Sequence, residues 1–188
     1  MNLFKYRNRN LKLDYYDHYI DPIFSENMFK YFEKNTPWRN NFERRTNVTY
    51  GDPGLIYEID FGNGKVRRKA LDWTPELTYL RDLISQTTNQ KYNICVVQRY
   101  PNFNISINPH RDKEMTPGTT VCGLSFGATR TLRMSKNKED IDIKLGSGSL
   151  YILYPPTNDY WSHSILKEPQ NMDQNKIRIS LTFRNYTS

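Results

Sequence analysis

The stretch IRISLTFR (177–184) reads as a β-strand with two unlike faces. Ile179, Leu181 and Phe183 alternate with a series that begins at Arg178 and ends at Arg184, and alternate residues of an extended chain project to opposite sides. One face belongs to a core. The other carries guanidinium groups, an unusual arrangement unless that face lines a polar cavity. A guanidinium fork is well matched to a carboxylate, so a dicarboxylate chelating a metal at one end could be gripped there at the other. The plain alternative is a pair of surface arginines on an edge strand, which would add little.

Working outward, the same third of the chain holds INPHRD (107–112), DYWSHSIL (159–166) and, before them, YNICVVQRY (92–100). His110 and Asp112 lie two residues apart, so on extended backbone they share a face. His163 comes 53 residues after His110 and must return by tertiary folding. Two imidazoles and one carboxylate on one face of an octahedron describe a non-haem Fe(II) site with open positions. His-x-Asp alone arises easily by chance, and most single histidines are structural. The arginine strand is what raises the reading above chance.

With 188 residues and 22.4 kDa the chain suits one domain built on a single core. Hydrophobic residues make up 37% and aromatics 14%, so rings supply much of the apolar bulk. No run approaches the roughly 18 apolar residues of a membrane span. MNLFKYRNRNLKLDYY (1–16) lacks an apolar run of signal-peptide length. Cys95 and Cys122 sit in apolar runs and read as buried free thiols. These features predict an intracellular protein with no membrane association. The net charge of +7 and pI near 9.3 favour a polyanionic partner, though the same charge serves solubility.

Residues 1–10 are polar and basic and predict a frayed terminus, with a first strand over 11–20. Asp21-Pro22 or Ser25 starts a helix whose apolar stripe is Ile23, Phe24, Met28, Phe29 and Phe32. TPWRNNFERRT (36–46) sets Trp38 and Phe42 among Arg39, Arg44 and Arg45. That mixture suits a nucleic-acid-facing loop, where rings stack and guanidinium groups hold phosphate. A hairpin with its rings packed inward and its arginines solvated would read the same. Gly51-Asp-Pro-Gly54 is a turn, Leu55–Phe61 a strand and Gly62-Asn-Gly64 a hairpin signal. Thr74-Pro75 starts a second helix with Leu77, Leu80, Leu83 and Ile84 on one face. Strands are predicted over 92–100, 120–126, 129–134, 141–145, 149–154, 161–166 and 177–184, and a mobile loop over 168–176. The fold class is α+β: two helices buttressing a β-sandwich or barrel.

HRDKE (110–114), LSFGATR (124–130), GSL (148–150), W-x-H (161–163) and RISLTFR (178–184) together resemble the AlkB family of Fe(II)/2-oxoglutarate-dependent dioxygenases. TYGDPGLIYEI (49–59) and DWTPELTYLRDLI (72–84) are similar to the substrate-covering segment and following helix of its DNA-repair branch. The likeness runs from about Thr49 to Arg184, in the family's order.

The resemblance implies a double-stranded β-helix, or jelly roll, as one domain over 1–188 with 36–70 as its nucleotide-recognition segment. It implies that His110, Asp112 and His163 hold Fe(II). It further implies that Arg178, Arg184 and Tyr100 bind 2-oxoglutarate, with Gln98 in place of the relatives' asparagine. Tyr57 matches a pocket tyrosine and Glu114 an acidic residue able to favour a cationic lesion. Ile59 stands where relatives place a stacking aromatic, with Phe61 a possible substitute. Trp38, Arg44 and Arg45 complete the expected substrate contacts. The implied reaction is oxidative demethylation of 1-methyladenine and 3-methylcytosine in DNA, giving formaldehyde, succinate and CO2, by a monomer. The alternatives are an RNA demethylase or base hydroxylase of the same fold, a protein-directed oxygenase, and a nucleic-acid-binding protein without working iron.

Overall fold

The computed structural model describes residues 1–38, 43–60, 64–113, 115–169 and 176–187. The chain opens on a hairpin of β1 (Leu3–Asn8) and β2 (Leu11–Tyr16), followed by α1 (Pro22–Asn35) and β3 (Thr46–Gly51). β4 (Ile56–Asp60) and β5 (Lys65–Lys69) form a separate two-stranded sheet before β6 (Leu71–Asp72) and α2 (Pro75–Thr88). Then come β7 (Ile94–Tyr100), β8 (Ile107–His110), β9 (Val121–Gly127), β10 (Arg130–Lys136), β11 (Glu139–Leu145) and β12 (Ser149–Leu153). One helical turn, α3 (Thr157–Tyr160), precedes β13 (Ser162–Ile165) and β14 (Arg178–Arg184). An eight-stranded sheet, ordered β1-β2-β12-β9-β14-β7-β3-β6, faces a four-stranded sheet, ordered β11-β10-β13-β8. This is the jelly roll, with α1 and α2 against its larger sheet.

Both long helices start for local reasons. Asp21 caps α1, its Oδ1 accepting from the N–H groups of Ile23 (2.9 Å) and Phe24 (3.2 Å), with Pro22 in the first turn. The helix stops at Asn35 because Pro37 follows an extended Thr36. Thr74 caps α2 through Leu77 N–H, and Asn89 closes it in the left-handed conformation at φ 51°. Ile179, Leu181 and Phe183 turn to the helix side and join Phe32, Leu77, Leu80 and Ile84 in one buried cluster. A second cluster, including Leu13, Val121, Leu132, Met134 and Trp161, fills the space between the two sheets.

Three expectations change. Residues 3–8 pair along β2 from Leu3↔Tyr16 to Asn8↔Leu11 and are not frayed. An edge strand with both faces wet shows no apolar alternation, so sequence pattern missed it. Within the expected loop over 168–176, Glu168 is buried, and its carboxylate accepts from Thr131 N–H (2.6 Å) and Thr131 Oγ1–H (2.7 Å); residues 170–175 lie outside the described ones. The first strand ends at Tyr16. Cys95 and Cys122 are buried and free, opposite Phe183 from its two sides, so β14 separates them. No described helix is long and apolar enough to cross a membrane.

Replacing the α1 cap, Asp21→Ala, should cost about 1 kcal/mol by leaving two helix N–H groups without their acceptor. Urea denaturation checks this: the midpoint should fall with an unchanged slope.

Candidate active site

The return of His163 is achieved by β8 and β13. They are antiparallel neighbours whose register sets His163 opposite His110, and the two rings lie 4.3 Å apart between centroids. Asp112 follows just past the end of β8. Its main chain is clamped by Asn158 of α3, which accepts from Asp112 N–H at 2.9 Å and donates to its carbonyl at 2.7 Å. Asn158 escaped the sequence reading because nothing local marks a residue that acts across 46 positions.

One donor atom from each of His110, Asp112 and His163 lies within 4.8 Å of the others. Each imidazole Nε2 is 3.8 Å from an Asp112 oxygen. His110 Nδ1 lies 2.9 Å from the Asn108 carbonyl, which can only accept, so Nδ1 holds the proton and Nε2 presents a lone pair. Asp112 Oδ2 and His163 Nδ1 are buried without a partner among the described residues. Burial opposes the charge on Asp112, but Arg184 and the two histidines outweigh it and hold the carboxyl below its usual range. Burial pushes the His163 imidazole down to about 4, against the pull of Asp112. An anionic carboxylate and two imidazoles with free lone pairs are a donor set for Fe(II) with open positions, and these residues fit it.

The inward face of β14 forms the floor of an inner cavity beside this triad. Arg178 is 1% exposed; its Nε donates to Ser125 Oγ at 2.8 Å and one terminal nitrogen to Ser180 Oγ at 3.2 Å. Its other terminal nitrogen is buried without a hydrogen-bond partner among the described residues. The guanidinium lies 5.0 Å over the Tyr100 ring. Tyr100 donates to Gln98 Oε1 at 2.9 Å, and Arg184 reaches Asp112 Oδ1 at 2.9 Å. Arg178, Arg184, Tyr100 and Gln98 therefore line one space with two of the metal-ligand residues, His110 and His163.

A larger outer cavity of about 410 Å³ reaches two residues of the triad, His110 and Asp112. Tyr57 and Ile59 on β4 line it together with Arg45, Asn47, His110 and Asp112. Arg45 and Arg44 are both exposed, and Arg45 donates to Gln98 Oε1 at 3.2 Å. Trp38 packs against the helix-side core, with its indole N–H on the Glu33 carbonyl at 3.1 Å. For this ring the inward-packed alternative is the one adopted. Glu114, Phe42, Arg39 and Phe61 lie outside the described residues. Tyr186 also lines the cavity, and its hydroxyl accepts from Glu58 N–H of β4 at 3.1 Å.

The model of the 2OG-Fe(II) oxygenase superfamily matches residues 15–184. The chain belongs to this superfamily. Among its members, mouse DNA oxidative demethylase ALKBH2 is 34% identical over 152 residues, covering 74% of this chain and 61% of the mouse protein. Alpha-ketoglutarate-dependent dioxygenase alkB homolog 3 of cattle is 28% identical over 183 residues, covering 88% of this chain and 63% of that protein. The oxygenase chain thus spans less than two thirds of the length of either relative. The solved structure of OsALKBH1 superposes with a TM-score of 0.71 at 13% identity, over 98% of this chain and 100% of that one, and shares the fold.

In the metal-free protein His163 stays neutral to about pH 4, while in the unfolded chain it takes a proton near about 6.5. Between those values only the unfolded state gains the proton, so stability should fall as pH drops from about 6.5 towards 4. Asp112, held below its ordinary range, adds to the loss below about 4. Denaturation at a series of pH values tests this. At pH 7.5, Mn(II) at 100 times its dissociation constant should add about 2.7 kcal/mol, and Asp112→Ala should abolish that gain.

Proposed function

We propose that the protein demethylates N-alkylated bases in DNA, 1-methyladenine and 3-methylcytosine, using Fe(II), 2-oxoglutarate and oxygen. The observation carrying this reading is that the inner and outer cavities meet at His110 and Arg184, beside Asp112. One compartment offers buried cationic donors to a dicarboxylate; the other is open, wide enough for a base, and walled by Tyr57 and Ile59. The name of the mouse relative, DNA oxidative demethylase, supports the reaction on DNA, and that of the cattle relative supports an alpha-ketoglutarate-dependent dioxygenase.

Iron with 2-oxoglutarate and oxygen supplies hydroxylation of the methyl group, one oxygen atom going to the methyl carbon and the other into succinate as CO2 leaves. The hydroxymethyl group on a ring nitrogen then breaks its C–N bond, releasing formaldehyde and restoring the base. The protein's own part is placement. Arg178 and Tyr100 orient the co-substrate, the Asn158 clamp fixes Asp112, and Tyr57 and Ile59 wall the base. A methylated Watson–Crick edge unpairs at low cost, which helps the base enter such a pocket. Arg44 is exposed, and on β5 Arg68 stands opposite Tyr57 and so shares the face that lines the outer cavity, giving cations suited to phosphate.

Succinate and formaldehyde release with oligonucleotides carrying 1-methyladenine tests the reading. Stoichiometric formaldehyde is expected, and Asp112→Ala should abolish it with little loss of fold. Release of succinate unaffected by any oligonucleotide would favour a protein substrate. Separately, neutralising Arg44 and Arg45 together should weaken oligonucleotide binding and flatten its log-log salt dependence by about one unit per lost phosphate contact. Because Arg45 points at Gln98, most of the change in slope should come from Arg44, as single variants would reveal.

A further inference from the structure

Tyr151 lies on the inward face of β12 and is 6% exposed. Buried tyrosines normally find a partner for the hydroxyl. Here Tyr15 donates to the Lys144 carbonyl, Tyr92 to Thr88 and Tyr100 to Gln98. No hydrogen-bond partner for the Tyr151 hydroxyl occurs among the described residues. The side chain instead lines the inner cavity with Arg178, Ser180, Thr182 and Arg184.

The neighbouring strand is shaped around this ring. Tyr151 pairs with Gly123 of β9, and Gly123 pairs in turn with Thr182 of β14. A Cβ at Gly123 would stand 2.2 Å from Tyr151 Cε1, 2.3 Å from Cζ and 2.6 Å from the hydroxyl oxygen. The phenol thus lies flat across β9 and extends over the floor of the cavity towards β14. Any other residue at position 123 would push it away. Among the described residues, four buried polar atoms of side chains lining this cavity also lack hydrogen-bond partners: a terminal nitrogen of Arg178, Arg184 Nε, His163 Nδ1 and Ser164 Oγ. An unpartnered hydroxyl lining one cavity with an unpartnered guanidinium nitrogen is an arrangement that an anion supplying both bonds would complete.

We propose that Tyr151 is a ligand of the dicarboxylate co-substrate: its hydroxyl donates to the carboxylate received by Arg178, and position 123 is glycine to let the ring lie there. This rests on the assignment of the inner cavity to 2-oxoglutarate. Burial pushes the phenol up to about 12, so it is a neutral donor throughout the working range.

Calorimetric titration of the Mn(II)-loaded protein with 2-oxoglutarate, and with oxalate, which has no distal carboxylate, tests the proposal. Tyr151→Phe should weaken 2-oxoglutarate about tenfold, the scale of one hydrogen bond to a charged group, and leave oxalate within about twofold. The metal-free variant should be at least as stable as wild type, because no existing bond is lost. Unchanged 2-oxoglutarate binding overturns the proposal, as does equal weakening of both ligands or a less stable metal-free variant. If wild type itself fails to bind 2-oxoglutarate, the assignment of the cavity falls and the proposal with it. Gly123→Ala should lower both stability and 2-oxoglutarate affinity. Adding Tyr151→Leu should restore the stability but not the affinity; a Gly123→Ala protein as stable as wild type removes the crowding argument.

Discussion

A carboxylate sits almost dry inside a β-structure, and much of the molecule serves to keep it charged. Asp112 is 7% exposed, a position where an isolated carboxyl would take up a proton. Arg184 at 2.9 Å and the two imidazoles reverse that preference. Each of these partners has its own structural requirement. Arg184 must point inward from the end of β14, and His163 must stand opposite His110. Asn158 must hold the Asp112 main chain from both sides, and α3 exists where the chain needs that residue.

The larger sheet separates stability from chemistry by face. Its outer side gives Ile179, Leu181, Phe183, Cys95, Val97 and Leu124 to the helices, a continuous apolar layer. Burial of that layer, at about 25 cal/mol per Å², drives the fold. Its inner side carries a rung of polar residues in register, Asn47, Gln98, Ser180, Ser125 and Ser149. Below the rung the second cluster closes the roll with Leu13, Val121 and Trp161. A polar floor can therefore be rigid without being filled, because packing on the far face holds the strands. Gln98 shows the economy of this floor: its oxygen takes a bond from Tyr100 in the inner cavity and from Arg45 in the outer one.

Much of this was legible in the chain. The alternation of IRISLTFR required a strand with its guanidinium groups on one side, and Asp21-Pro22 and Thr74-Pro75 marked helix starts from local chemistry alone. His110 and Asp112 shared a face by spacing. Harder to read were features set by distant partners. Residues 3–8 form a strand only because β2 offers a ladder. Trp38 sat in a basic, aromatic segment that also suits nucleic acid, and only its packing beside Glu33 shows that its ring turns inward.

What the sequence determined by itself was whatever depends on neighbours along the chain: strand periodicity, capping, turn chemistry and the types of donor available to a metal. Those are short-range effects, fixed by dihedral preference and side-chain alternation. Tertiary structure alone decided the encounters across tens of residues. It set His163 opposite His110, placed Asn158 against Asp112, and brought Arg45 to Gln98. It also laid the Tyr151 ring across Gly123, two residues 28 apart in the chain that touch through strand register. Register and crossover are properties of the assembled sheets, and no stretch of sequence read alone contains them.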